Sequence, residues 1–307
     1  MRVIFFGTSS FAIPPLRSLL DSLHDVPCAV TRPPRPAGRG KRLTQPPVYR
    51  SLSGTEVQVH QPARLTPDFV RTLSDMEADV MVTASYGAWL PEDLLKSSRL
   101  GVVNIHPSLL PQYRGAAPVV RAILDGREKT GVSFMLTDSG WDTGPLIAVY
   151  PETILPEDTA GILEERLAGL AGDRVVQVLE GLDRGILKPV PQAGEPVYAE
   201  KISTDETWLD WTLKAEELER KVRAFQPSPG ARTSLGGRML KVTAARVSPI
   251  PAAPGEVVVE GERLRAGCGG KNSLEILRLQ PASRSDMTAG QFLRGAGIET
   301  GERFETV

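Results

Sequence analysis

Two short runs set the first limit on what this chain can become. Residues 79–85 (DVMVTAS) and 101–106 (GVVNIH) are apolar and β-branched, without the in–out alternation of a half-exposed strand. Such strands need cover on both faces, which points to a parallel sheet with helices packed on each side. Residues 3–6, 26–31 and 57–60 read as further strands, and 131–136 and 146–149 as later ones. Between them, residues 11–23, 67–76 and 116–125 carry helical spacing, with Thr66 placed to cap the second. Residues 157–182 form a long amphipathic stretch that Asp158 or Thr159 could cap. This alternation predicts an α/β fold with a doubly wound, mostly parallel, Rossmann-like sheet.

The pattern changes near Gly185. Residues 188–203 are Pro-bearing and read as a linker, and 213–225 as one more helix. Beyond lie short strand candidates at 238–245, 255–260, 263–268 and 274–279, separated by Pro and Gly, as in a small OB-like β-barrel. The expected organisation is a catalytic domain over 1–187, a linker over 188–205 and a C-terminal barrel over 206–307. Trp208 and Trp211, at the entry to the barrel, could stack on bases or simply pack the linker.

A chain of 307 residues can bury the cores of two such domains. It has no apolar run near 18 residues, so no membrane span is expected. The opening MRVIFFGTSSFA breaks at Gly7 and reads as a buried strand and tight turn, not a secretion signal. It lacks the second glycine of a dinucleotide fingerprint, though its helix N-terminus could receive an anion. Two distant cysteines, Cys28 and Cys268, point to a reducing cytoplasm, and no metal-binding spacing is present. The formal net charge of −1 hides segregation: residues 32–50 hold six Lys/Arg and no acid, and 220–294 hold thirteen Lys/Arg against five Asp/Glu. Either basic region could be a solvated surface or a footprint for a polyanion. Five prolines and two glycines in 32–50 argue against regular structure there.

In an open α/β sheet, ligands bind beyond the carboxyl ends of the strands. Asn104 and His106 close such a strand in NIHPSLLPQYRG, and positions i and i+2 point to one side. An amide and an imidazole aimed at one atom suit a developing oxyanion, with the imidazole also able to move a proton. A lone histidine is as readily a satisfied structural residue. The loop TDSGWDTGPL adds Asp138 and Asp142, either of which could orient it. No GxSxG nucleophile motif is present, so the set suggests acyl or one-carbon transfer without a covalent intermediate.

These motifs, NIHPSLLPQYRGAAPVVRAI and the later GWDTGPL, resemble the formyltransferases that use 10-formyltetrahydrofolate. RPPRPAGRGKRLTQPPV, LDWTLKAEELERKVRAFQPSPGA and LQPASRSDMTAGQFLRG extend the likeness, in colinear order, to the methionyl-tRNA branch of that family. Glycinamide ribonucleotide enzymes lack the C-terminal barrel, and aminoarabinose enzymes lack the basic loop.

The resemblance implies transfer of formyl from 10-formyltetrahydrofolate to the α-amine of methionyl initiator tRNA, by a cytoplasmic monomer. It implies a catalytic set of Asn104, His106 and Asp142. Ser108, Leu109, Leu110 and Pro111 would wall the folate site, and the backbone around Ser85, Tyr86, Gly87 and Leu90 would meet the pterin. Ser108 could equally make a turn bond, and the two leucines could simply pack. Arg35, Arg39, Lys41 and Arg42 would contact the tRNA acceptor stem, and the barrel would hold tRNA through phosphates. Arg114 is open between a substrate anion and a salt bridge within its loop. The rivals are the same chemistry on an amino-sugar nucleotide or other small amine, and a catalytically dead tRNA binder.

Overall fold

In the computed structural model, which describes residues 1–37, 40 and 42–305, the chain opens with β1 (Arg2–Gly7), α1 (Ile13–Leu20) and β2 (Asp25–Val30). There follow β3 (Arg35–Ala37), β4 (Arg42–Thr44), α2 (Pro47–Ser51), β5 (Gln58–His60), α3 (Pro67–Ser74), β6 (Val80–Ala84) and α4 (Glu92–Leu95). Then come β7 (Val102–His106), β8 (Arg114–Gly115), α5 (Pro118–Leu124), β9 (Lys129–Leu136), β10 (Leu146–Thr153), α6 (Ala160–Asp183) and β11 (Tyr198–Ala199). The remainder is α7 (Ala215–Ala224), β12 (Ala231–Leu235), β13 (Arg238–Ser248), β14 (Val257–Glu260), β15 (Arg263–Gly267), β16 (Ser273–Pro281), β17 (Met287–Thr288), α8 (Ala289–Ala296) and β18 (Phe304–Glu305). Two units result. The first comprises Met1–Pro118, Lys129–Thr153 and Glu164–Ala199; the second comprises Val119–Glu128, Ile154–Leu163 and the chain from Glu200 onward.

The first unit is built on a sheet of order β10-β9-β7-β6-β1-β2-β5. The pairings from β5 across to β7 are parallel, and every residue of β6 is buried, as its unbroken apolar run requires. β9 and β10 run antiparallel, because the short loop between them can close a hairpin but not a crossover. The strand order reverses at β1, which lies between β2 and β6, so the carboxyl ends of β1, β6 and β7 line the switch point. Gly7 ends β1 there, and a Cβ on it would lie 2.7 Å from Ala12 Cβ, so packing demands glycine. Thr66 caps α3 by accepting the Phe69 N–H at 3.4 Å, and Thr159 accepts the Ile162 N–H at 3.3 Å. Asp158 instead accepts the N–H of Leu155, ahead of the helix.

Two expectations need correction. Residues 32–50 do form regular structure: β3 and β4 pair as an antiparallel ribbon, and α2 follows. Proline fits because Pro36 sits mid-ribbon in a short edge pairing and Pro47 opens a helix, where no N–H is needed. Nor is 188–205 a free linker. Val190 exchanges both backbone hydrogen bonds with Leu146 at 2.8 Å, and β11 pairs in parallel with β8. Pro189, Pro191 and Pro196 flank these contacts and leave the bonding N–H groups intact.

The second unit is an antiparallel sheet of order β14-β15-β16-β13-β12-β18, with β17 beside β16. Its C-terminal segment closes it: β18 pairs with β12, while Phe304 N–H donates to Gly255 O and Val257 N–H donates to Glu302 O, both at 2.8 Å. Trp211 is wholly buried, stacks on Phe304 and donates its indole N–H to Thr233, so it is core and no base platform. α8 carries a full capping box between Thr288 and Gln291. Among the described residues, no helix is long and apolar enough to cross a membrane. Both cysteines are free, and burial pushes the Cys28 thiol up to about 11 and that of Cys268 up to about 12.

Candidate active site

β7 delivers Asn104 and His106 to the carboxyl edge of the sheet, and the 137–145 loop brings Asp142 to them. Asn104 Nδ2 donates to Asp142 Oδ1 at 3.2 Å. Asp142 Oδ2 accepts the Gly115 N–H at 2.9 Å and lies 3.6 Å from His106 Nδ1. His106 is 5 % exposed, and its Nε2 lies 2.9 Å from the Tyr113 carbonyl. A carbonyl only accepts, so Nε2 carries a proton whether the ring is neutral or charged. Nδ1 is therefore the nitrogen free to gain or lose one, and it faces the carboxylate. A histidine whose second nitrogen meets an acid beside an amide can stabilise negative charge and relay a proton.

Backbone strain marks the same place. Asp142 has φ 51° and Tyr113 has φ 61°, left-handed values that a tyrosine rarely adopts. Such conformations persist where surrounding bonds over-determine them. Asp138, the other acid of the loop, accepts the Gly140 N–H at 2.9 Å and the Thr143 hydroxyl at 2.7 Å, so it shapes the turn.

The residues expected around folate divide by what they expose. The 85–87 backbone turns with Ser85 at φ 47° and Gly87 at φ 74°, and nothing lies within 4 Å of where a Gly87 Cβ would be. Two residues not singled out beforehand brace it: Thr8 donates its hydroxyl to Tyr86 O, and Ser9 donates to the Ser85 hydroxyl, both at 2.8 Å. Tyr86 and Leu90 belong to the core, the tyrosine edge-on to Phe6 at 5.4 Å. Ser108 is 0 % exposed and spends its hydroxyl on Gln112 O at 2.6 Å. Leu110 is buried and donates its N–H to Ser133, and Leu109 packs over Gly131 on β9. Ser108–Leu110 is thus a packed turn, whereas Pro111 is partly exposed and accepts from Val197. Trp89 and Trp141, 52 % and 67 % exposed, meet with ring centroids 5.7 Å apart and join the 85–90 loop to the Asp142 loop. The signal that could have found them was a tryptophan in each of two loops already singled out.

Arg114 reaches out of its own loop. Its Nη2 donates to Gln192 Oε1 at 2.7 Å, reaching the segment expected to be linker. Of the basic loop, Arg35 and Arg42 are exposed on the β3–β4 ribbon, while Arg39 and Lys41 lie outside the described residues. In the second unit, Arg223, Arg246, Arg265, Arg278 and Arg294 are paired with carboxylates. Arg238, Arg263 and Lys271 stay exposed, so the basic surface is narrower than the charge count implied.

Residues 1–186 match the formyl transferase family and residues 201–297 match the formyl transferase C-terminal domain. The methionyl-tRNA formyltransferase of Halorhodospira halophila is 43 % identical over 305 residues, covering 98 % of both chains. That of Myxococcus xanthus is 43 % identical over 305 residues, covering 98 % of this chain and 97 % of its own. The solved methionyl-tRNA formyltransferase of Clostridium thermocellum shares the fold, with a TM-score of 0.57 at 17 % identity over 80 % of this chain and 93 % of its own. A shared identity near two residues in five, sustained from end to end through both matched domains, means that the chain belongs to the methionyl-tRNA formyltransferase family.

Proposed function

We propose that this chain transfers formyl from 10-formyltetrahydrofolate to the α-amine of methionyl initiator tRNA, with Asn104, His106 and Asp142 as its catalytic residues. The observation that carries the site assignment is their convergence on one carboxylate at the carboxyl edge of β7, next to the switch point. The folate supplies its formyl group as an amide on N10. The open backbone at Gly87, held by Thr8 and Ser9, suits a flat heteroaromatic ring that hydrogen-bonds with main chain.

Asn104 Nδ2 carries two N–H groups, and one is used on Asp142. The second can donate to the formyl oxygen as negative charge builds there. His106, fixed through Nε2 by Tyr113, presents Nδ1. As imidazolium it adds a second donor, a positive one, near that oxygen and beside the Asp142 carboxylate. As neutral imidazole it can take the proton the amine sheds and return a proton to the leaving nitrogen. Asp142 thus faces the ring's Nδ1 and sets the amide's aim.

We assign tRNA contact to Arg35, Arg39, Lys41 and Arg42, and to the barrel over 206–307, with catalysis in 1–187. Side chains on a basic ribbon meet phosphates and so position a stem without reading bases. The test offers the protein 10-formyltetrahydrofolate with charged initiator tRNA, charged elongator tRNA or amino-sugar nucleotides. Formylation of the initiator in preference to the others is expected. Transfer to a sugar nucleotide alone would refute the assignment.

A further inference from the structure

We infer that Gln192 is a positioning residue for the catalytic loop, locking the backbone of Asp142 and Gly144 to Arg114. Its amide is used on both sides. Nε2 donates to Asp142 O and to Gly144 O, each at 2.8 Å. Oε1 accepts from Arg114 Nε at 3.1 Å and from Nη2 at 2.7 Å. The orientation is fixed by chemistry: a guanidinium only donates and a carbonyl only accepts, so the amide cannot be flipped.

The bonds form a closed ring. Asp142 Oδ2 holds the Gly115 N–H; Gly115 follows Arg114 in β8; Arg114 holds Gln192; and Gln192 returns to the Asp142 carbonyl. The Asp142 carboxylate and its own backbone are therefore gripped from one short strand. β8 is in turn fixed by β11, and Leu146, just past Gly144, by Val190. Gln192 lies between these two anchors on the same segment. A non-glycine residue at φ 51° needs such over-determination to stay put. Without the Nε2 bonds, Asp142 can relax toward ordinary dihedrals and carry its carboxylate away from Asn104 and His106 Nδ1. Gln192 touches none of these side chains, so it acts through the loop.

This inference rests on the proposed reaction for its kinetic consequence but not for its structural one. The test compares the full-length protein with Gln192→Met, which keeps volume and loses the bonds to the loop and to Arg114, and Gln192→Glu, which keeps oxygen toward Arg114 and loses both donations to the loop. Both should lower kcat about a hundredfold, the cost of ångström-scale misplacement. KM for either substrate should move by less than about threefold, since binding surfaces remain. Amide hydrogen exchange in residues 138–146 should accelerate in both, with barrel strands unchanged. A kcat within about twofold of wild type in either folded variant would overturn the proposal. So would unchanged exchange in the loop, and so would loss of folding in both variants, which would make Gln192 merely structural. If only Gln192→Met fails to fold, Gln192→Glu decides by the same criteria. A wild-type protein that transfers no formyl group would sink the reaction assignment while the exchange data still judged the grip.

Discussion

Replacing Asp142 with asparagine probes the centre of the site with almost no change in shape. The carboxylate meets three partners: Asn104 Nδ2 at 3.2 Å, the Gly115 N–H at 2.9 Å and His106 Nδ1 at 3.6 Å. An asparagine offers one acceptor oxygen where two stood, and its NH₂ must face a former donor. If the oxygen keeps the Gly115 N–H, the NH₂ opposes the Asn104 amide; if the oxygen turns to Asn104, the NH₂ opposes the Gly115 N–H beside His106 Nδ1. Losing the charge-assisted hydrogen bond to the Asn104 amide, worth about 1.5–3 kcal/mol, predicts a fall in kcat of about 10–10². Single-turnover formylation with saturating folate and charged initiator tRNA measures it, while circular dichroism and thermal melting check that the fold is kept. A kcat within about threefold of wild type would show that the carboxylate does not orient Asn104 and His106 for the reaction, and the mechanism would fail.

Asn104→Ala and His106→Ala should each reduce turnover about a hundredfold or more, the usual worth of an oxyanion donor; near-normal rates in either remove that residue from the mechanism. Arg35→Ala with Arg42→Ala should raise KM for tRNA and flatten its dependence on log[salt] by about 1–2, with KM for folate unchanged; filter binding across a salt series checks this. Glu206 is gripped by both guanidinium nitrogens of Arg121, at 2.5 and 3.1 Å, which hold its carboxyl down to about 2 from an ordinary 4.5. The folded value is the lower one, so the pair stabilises above pH 4.5 and that stability is lost as pH falls toward 2. Because the Glu206 side chain is 36 % exposed, solvent screening limits the gain to about 1 kcal/mol. Glu206→Gln should therefore lower urea stability by that amount at pH 7, and the deficit should shrink steadily below pH 4; a deficit independent of pH contradicts the pairing.

What the sequence disclosed follows its range of interaction. β6 and β7 were legible because burial on both faces leaves a continuous apolar run, and Thr66 was legible because a cap bonds only three residues away. Asn104 and His106 could be paired from strand geometry alone. Choosing Asp142 over Asp138 took the resemblance, since both acids lie in one glycine-rich loop and only the fold shows that Asp138 is spent on its own turn. The β3–β4 ribbon was hidden by prolines that sit where no donor is required. β12 was missed because ARTSL, half polar, follows a proline-rich stretch and takes its stability from β13 and β18. Gln192 was invisible for a similar reason. Its partners lie 48 to 78 residues away, and nothing local separates it from any other polar residue between prolines.

The central claim is tested most directly by following the formyl group itself. Protein, formyl-labelled 10-formyltetrahydrofolate and charged initiator methionyl-tRNA are mixed in single-turnover amounts, and the label is traced after mild deacylation of the tRNA. The account predicts that the label appears on the α-nitrogen of methionine, at a rate that collapses in Asn104→Ala. Label that stays on folate, or leaves only as formate, would contradict it.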